Sequence, residues 1–157
     1  MPSGSLQAVW TTGAKNEYAN IIAGISGGAS ISYFRVGLGG RFPDGSVRPP
    51  NPVLMDLDII ENPSNYPAYP NPPYDIPYYQ STAGSVVLSV PVPGTVRVSC
   101  VLSNATYNSS QTATPTPPLI CEIGIFDANN LMVAYGTFAG VTKTAAVSLT
   151  LNVDLVL

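Results

Sequence analysis

Histidine is absent from this chain of 157 residues, and cysteine occurs only at Cys100 and Cys121. Histidine is the side chain that most often acts as a general base or metal ligand near neutral pH. Two cysteines without a histidine form neither a zinc site nor a cysteine nucleophile with its base. We therefore expect a protein that is not an enzyme and that has no metal and no cofactor.

Charged residues are scarce as well, at 10% of the chain, compared with about 25% in an average soluble domain. The net charge is −3 and the six basic residues are scattered, which argues against nucleic-acid binding, because that function needs a basic stripe. Interface cores are depleted in charge, so the composition favours an obligate assembly whose copies or partners cover much of the surface. The alternative is a lone monomer with an uncharged Ser/Thr/Asn surface.

Long apolar runs are also missing. No run approaches the roughly 18 residues that a membrane-spanning helix requires, so we expect no contact with a membrane. The start MPSGSLQAVW has neither a basic nor a continuous apolar region, which predicts no signal peptide and synthesis in the cytoplasm. There Cys100 and Cys121 are expected to be reduced and buried on neighbouring strands, and a disulfide is the alternative. The sequons at Asn104 and Asn108 are interpreted as turn residues.

The first recognisable pattern along the chain is the apolar spacing of a helix. Residues 11–24, TTGAKNEYANIIAG, begin with threonine and are followed by glycines, which predicts a short helix. Its apolar side chains lie at helical spacing: Tyr18, Ile21, Ile22 and Ile25. A β-rich segment at residues 30–38 then predicts a strand that is closed by Gly39 and Gly40.

Strand patterns dominate after residue 80. Residues 86–92 and 95–102 read as strands, and in the second Val96, Val98, Cys100 and Leu102 share one face. After a polar loop at 104–118, residues 119–126 and 131–138 predict a hairpin around the turn DANN, and 145–157 predict a last alternating strand. The prediction is a single all-β domain over 1–157, a mainly antiparallel β-sandwich or open barrel with one short N-terminal helix.

Residues 43–79 contain ten of the sixteen prolines and five of the nine tyrosines. Proline removes ladder donors, so this segment is predicted not to form regular sheet, except for one strand at 53–60. We expect an ordered, extended Pro/Tyr-rich arm that lies on its own domain or on a neighbour. Its tyrosines are candidate interface residues that either pin the arm or line a carbohydrate or peptide surface: Tyr66, Tyr69, Tyr74, Tyr78 and Tyr79.

Three further features of the sequence are candidate sites. On a strand, Asp56 and Asp58 point to one face, which suits either a hard cation or, more simply, a solvated face. The segment GLGG at 37–40 is interpreted as a β-turn rather than a phosphate cradle, because no lysine follows it. Glu122 interrupts an apolar strand and is expected to be exposed or held at an interface, and Phe126 is a further interface candidate.

Two blocks of sequence resemble a known family. Residues 11–24 and 29–41, TTGAKNEYANIIAG and ASISYFRVGLGGR, resemble the N-terminal domain of phage tail-collar fibre proteins, in which a short helix leads into a strand and a glycine-rich turn. Residues 121–138, CEIGIFDANNLMVAYGTF, look like the hairpin of the same family. Fibres of that family usually continue into a long shaft, so we expect a stand-alone adaptor, or an attachment domain whose shaft is another protein.

The resemblance implies a structural virion protein that joins the tail fibre to the baseplate as a symmetric oligomer, with a trimer as the family expectation. The implied partners are further copies of the chain and other baseplate and tail-fibre proteins. The implied location is the phage tail, with the host cytoplasm during assembly. The alternatives are a carbohydrate- or receptor-binding module of a tail fibre and a capsid decoration protein.

Overall fold

A computed structural model describes residues 5–25, 27–66, 77–107 and 117–157 of the chain. Within these ranges the protein is all-β, with two sheets and few helical residues, so the predicted fold class is confirmed. None of the helices in the described ranges is long and apolar enough to cross a membrane.

The first sheet has four strands. Their spatial order places two long strands between two short edge strands: β1 (Ser5–Gln7), β9 (Leu149–Val156), β6 (Thr95–Leu102) and β5 (Val87–Ser89). Strand β1 is parallel to β9, and the other pairs are antiparallel.

The second sheet has five antiparallel strands. In spatial order they are β2 (Val9–Trp10), β8 (Met132–Thr142), β7 (Leu119–Asp127), β3 (Ile31–Gly37) and β4 (Tyr78–Gln80). The hairpin of β7 and β8 confirms the predicted one. Its turn is held by Asp127, whose carboxylate accepts the backbone N–H groups of Asn129 at 2.8 Å and Leu131 at 2.9 Å.

The two sheets form a β-sandwich around one core. In the first sheet the paired residues Val98 and Val153 point inward, as predicted from the period-two pattern. In the second sheet Ile123 pairs with Val36, and both are fully buried. All of these side chains belong to a single apolar cluster. The described strands form two separate sheets that share this core, which favours the sandwich over the open barrel.

The cysteines lie in different sheets, because β6 carries Cys100 and β7 carries Cys121. Both thiols are free and buried, as expected. The prediction that they lie on neighbouring strands is wrong, since no pairing joins β6 and β7.

Strand β7 is buried on both faces, because a third layer covers the side that faces away from the first sheet. This layer contains α2 (Asp58–Glu61), a short helix that follows the N-terminal helix α1 (Thr12–Ile22) in the chain, and a 3-10 turn (Pro63–Asn65). Its buried apolar side chains are Leu54, Leu57, Ile59 and Tyr66. The predicted strand at 53–60 is therefore wrong: the backbone N–H groups of Asp58 and Ile59 bond to a side chain of β7 instead of a strand ladder.

The described parts of the Pro/Tyr-rich arm pack on their own domain. The arm is less extended than expected, since it contains α2 and the 3-10 turn. Its end also enters a sheet, contrary to expectation, because β4 pairs Tyr79 with Val36 and Tyr78 with Gly37. Residues 67–76 lie outside the described residues.

The predicted N-terminal helix is confirmed as α1 (Thr12–Ile22). Thr11 caps it, because its hydroxyl accepts the N–H of Ala14 at 3.1 Å. The apolar side of the helix, however, does not join the core: Tyr18, Ile21 and Ile25 are exposed.

Candidate functional site

A carboxylate lies at the centre of the third layer. Glu122 is 0% exposed, so the expectation that it is exposed or held at an interface is wrong. Its Oε1 accepts the backbone N–H groups of Gly39 at 3.2 Å and Ile59 at 3.3 Å. Its Oε2 accepts the N–H of Asp58 at 2.9 Å and the hydroxyl of Tyr135 at 2.6 Å. Four donors from three parts of the chain therefore hold one acidic side chain.

The glycine-rich turn is explained by this carboxylate. A Cβ atom at Gly39 would lie 2.5 Å from Oε1 of Glu122, and one at Gly37 would lie 2.6 Å from the same oxygen. Gly40 has a φ of +79° and would place its Cβ 3.0 Å from the Cβ of Glu122. The chain bends at residues 38 and 40, directly after β3. The N–H of Gly39 bonds there to the side chain of Glu122, inside the chain.

A second acid adjoins the first. Asp58 is buried; its carboxylate accepts the hydroxyl of Tyr66 and, at 2.6 Å, the amide of Asn62. The hydroxyl of Tyr66 in turn accepts the N–H of Gly40 at 2.8 Å. We call Glu122, Asp58, Tyr66 and Tyr135 the acidic cluster.

Burial sets the protonation of the acidic cluster. It raises the pKa of Glu122 to about 7, while the hydrogen bonds from Tyr135, Asp58 and Ile59 act in the opposite direction. Burial also raises the pKa values of Tyr66 and Tyr135, and the neighbouring carboxylates raise them further. Both phenols therefore remain protonated donors, and the cluster joins the turn after β3, α2, β7 and β8.

The two aspartates that suited a cation site in the sequence have different partners in the fold. Asp56 pairs with Arg35 on the outer face of the second sheet, whereas Asp58 belongs to the acidic cluster. Among the residues that the structure describes, no three acidic, histidine or cysteine side chains are grouped to hold a metal ion.

The aromatic interface candidates have separate locations. Tyr66 is buried in the acidic cluster, and the partly buried Tyr79 packs 5.9 Å from the ring of Tyr107. Tyr78 lies on the outer face, where the guanidinium of Arg35 is 5.8 Å from its ring. Tyr69 and Tyr74 lie outside the described residues.

Phe126 also belongs to the interior rather than the surface. Its side chain is buried, and its ring stacks on Tyr33 with centroids 4.9 Å apart. The guanidinium of Arg35 lies 4.8 Å from the same ring. Phe126 is therefore not exposed for contact with a partner.

An exposed apolar groove lies between α1 and the end of β9. It has a volume of about 280 Å³, and the indole N–H of Trp10 spans it to the carbonyl of Val156 at 2.8 Å. Tyr18 is 61% exposed and Leu157 is 79% exposed. The residues that line it are Trp10, Ala14, Lys15, Tyr18, Val156 and Leu157. We call this set the apolar groove.

The helical spacing of Tyr18 and Ile21 signalled an apolar face, but the sequence does not distinguish a face that meets the core from one that stays exposed. A second group of exposed apolar side chains lies on the edge strand β5, in the segment that follows it and on the outer face of β6: Val87, Leu88, Val90, Val92 and Val101.

A separate polar pocket of about 250 Å³ adjoins the acidic cluster. Asp58 and Tyr135 line it, and its other polar side chains are Arg48, Asn51, Asn62 and Asn65. These asparagines and Arg48 lie in the proline-rich arm without a recognisable spacing, so no pattern in the sequence marks them as site residues.

No protein-family model, no curated protein and no solved structure matches this chain. The resemblance of its two blocks to tail-collar fibre proteins therefore stays a prediction.

Proposed function

We propose that this chain is a structural, non-enzymatic protein of a phage tail that joins a tail fibre to the baseplate as a symmetric oligomer. The observation that carries the proposal is the apolar groove. Exposed contiguous apolar surface on a folded domain is typical of protein contact sites, and here Tyr18 and Leu157 leave most of their surface in solvent.

The composition of the apolar groove suits a buried contact. Among the lining residues that the structure describes, Lys15 is the one with a charged side chain. Charge depletion with aromatic enrichment is the pattern of interface cores. Ile21 and Ile25 extend the exposed apolar surface beyond the groove. A second copy or a fibre protein that covers this surface would remove five large, exposed apolar side chains from water: Tyr18, Ile21, Ile25, Val156 and Leu157.

The interior supports a passive mechanical role. The acidic cluster joins the glycine turn, α2 and two strands through hydrogen bonds, and each buried side-chain polar atom in the described residues has a partner. A network that is fully satisfied within the chain favours a rigid domain. Rigidity is what a joint between a fibre and a baseplate requires.

The tail assignment draws on the sequence resemblance, and the fold brings its two blocks together. Gly39, from the first block, donates its N–H to Glu122 of the second block at 3.2 Å. Strand β3 of the first block also pairs along its length with β7 of the second. The two blocks therefore form one structural unit, which supports reading them together.

The absolute mass of the purified protein tests the assembly. Light scattering at several concentrations is expected to give a stable trimer or a multiple of three, because closed symmetry is the common way to bury a self-complementary surface. A monomer at all concentrations contradicts self-association.

A matched pair of variants tests which surface is buried. Tyr18→Glu places a charge in the apolar groove and is expected to shift the oligomer to monomer. Met55→Glu places the same charge on a side chain that is 76% exposed elsewhere and is expected to leave the mass unchanged. Equal effects of the two substitutions would contradict a role for the groove.

The location in the particle needs its own test. Antibodies raised against the chain are expected to label the tail, at the base of the fibres, in electron micrographs of the phage particles that carry its coding sequence. Label on the capsid would favour a decoration protein, and absence of label from the particles would contradict a virion role.

A further inference from the structure

The polar pocket is built from side chains that retain hydrogen-bonding capacity. The carbonyl oxygen of the Asn51 side chain accepts the N–H of Val53 at 3.1 Å, which leaves its amide group free to donate. The amide of Asn62 donates to Asp58 at 2.6 Å, which leaves its side-chain oxygen free to accept. Within the described part of the chain, the carboxamide of Asn65 has no hydrogen-bond partner. The pocket therefore offers both donors and acceptors.

The charges of the pocket balance. Arg48 contributes one positive charge and Asp58 one negative charge, and no other charged side chain among the described residues lines the pocket. Both oxygens of the Asp58 carboxylate already accept hydrogen bonds, from Asn62 and Tyr66. An anionic ligand would be repelled by Asp58 and a cationic ligand by Arg48, so the lining favours a neutral ligand.

An aromatic wall completes the pocket. The ring of Phe42 is partly exposed, and the guanidinium of Arg48 lies 4.4 Å from its centre. The Nε–H of Arg48 donates to the carbonyl of Arg41 at 2.9 Å, which fixes the orientation of this guanidinium. A flat apolar ring beside carboxamides suits a ligand that has both C–H and hydroxyl groups.

From this arrangement we infer that the polar pocket binds one neutral sugar ring. Hydroxyl groups both donate and accept, as the three asparagines require, and the C–H face of a sugar ring suits Phe42. The volume of about 250 Å³ admits one ring rather than a long chain within the pocket. This inference is independent of the proposed function, because the apolar groove and the pocket share no lining residue among those that the structure describes.

Nuclear magnetic resonance on the full-length ¹⁵N-labelled protein tests the inference. The probes are glucose, galactose, mannose and N-acetylglucosamine at millimolar concentrations, with inorganic phosphate and acetate as charged probes. At least one sugar is expected to shift the side-chain amide signals of Asn51, Asn62 and Asn65 in a saturable manner. Absence of saturable shifts with every sugar, or stronger binding of phosphate or acetate, would overturn the inference.

Variants locate the binding site. Asn65→Ala and Phe42→Ala are expected to weaken sugar binding about tenfold, the effect of losing one favourable contact. Asn129→Ala removes an exposed asparagine in the turn of the β7–β8 hairpin and is expected to leave binding unchanged. The carboxamide of Asn65 makes no hydrogen bond within the described part of the chain, so wild-type affinity in Asn65→Ala would place the sugar elsewhere and overturn the assignment.

Discussion

At the scale of single residues, Glu122 is the side chain on which the third layer depends. Its carboxylate replaces a strand ladder as the partner for the N–H groups of Asp58 and Ile59, and it explains why glycine stands at 37, 39 and 40. The sequence located the acid within an apolar strand but not its partners, because Gly39 and Asp58 are 83 and 64 residues away along the chain.

The protonation of Glu122 predicts a pH dependence of stability. Its pKa rises from 4.5 in the unfolded chain to about 7 in the fold, so between these values the folded state binds more protons. The free energy of unfolding is therefore expected to fall by on the order of 3 kcal/mol as pH rises from about 4.5 to about 7. Urea unfolding at a series of pH values measures this change in the free energy of unfolding.

The substitution Glu122→Gln isolates this contribution. Glutamine keeps the volume but does not ionise, so the variant is expected to lose the fall in stability over this pH window. Glu61→Gln changes an exposed acid of α2, and this variant is expected to keep the fall in stability over the same pH window. The assignment fails if the pH profiles of wild type and Glu122→Gln run parallel.

At the scale of elements, α1 is attached to the sandwich through its cap. The hydroxyl of Thr11 accepts the N–H of Ala14 and also donates to the carbonyl of Met132 in β8. This single buried side chain both begins the helix and fixes it to the second sheet. The sequence predicted the helix start from the threonine, but the bond to β8 depends on the pairing of β2 with β8.

Thr11→Ala is expected to lower the free energy of unfolding by about 2 kcal/mol, since it removes a helix cap and leaves a buried carbonyl without its donor. Thr12→Ala, one residue later and exposed, is expected to change it by less than about 0.5 kcal/mol. Thermal or urea unfolding of the two variants measures the difference. Similar losses in both would show that the cap does not attach the helix.

At the scale of the whole molecule, the sandwich separates the two cysteines. Cys100 lies in the four-stranded sheet and Cys121 in the five-stranded sheet, and both are buried. Burial raises the pKa of Cys100 to about 12 and also raises that of Cys121. Both thiols are therefore expected to be unreactive while the sandwich is intact, because the thiolate is the nucleophile.

Thiol titration with a chromogenic disulfide reagent measures this protection. Two thiols per chain are expected to react in denaturant, and only slowly in the native state, at a rate limited by opening of the core. A reductant is expected to leave the melting temperature unchanged. Fewer than two reactive thiols in denaturant would reveal a disulfide and contradict this arrangement.

The alternation of apolar and polar residues was sufficient to predict most of the described strands. Residues 95–102 alternate clearly, and Val98, Cys100 and Leu102 are all fully buried on one face of β6. Strand patterns, the turn DANN and the threonine at the start of α1 are local signals, since each depends on neighbours within a few residues. The same local reading was wrong at 53–60, where alternation is present but the partner of the segment is Glu122.

The sequence by itself determined the all-β class, the positions of the main strands and of α1, and the scarcity of charge, because these depend on composition and short-range periodicity. Only the tertiary structure decided that Glu122 and Phe126 are interior, that Asp56 and Asp58 have separate partners, and that the apolar side of α1 remains exposed beside Leu157. Burial is a property of contacts between residues far apart in the chain, so no local pattern distinguishes an apolar face that meets the core from one that stays exposed.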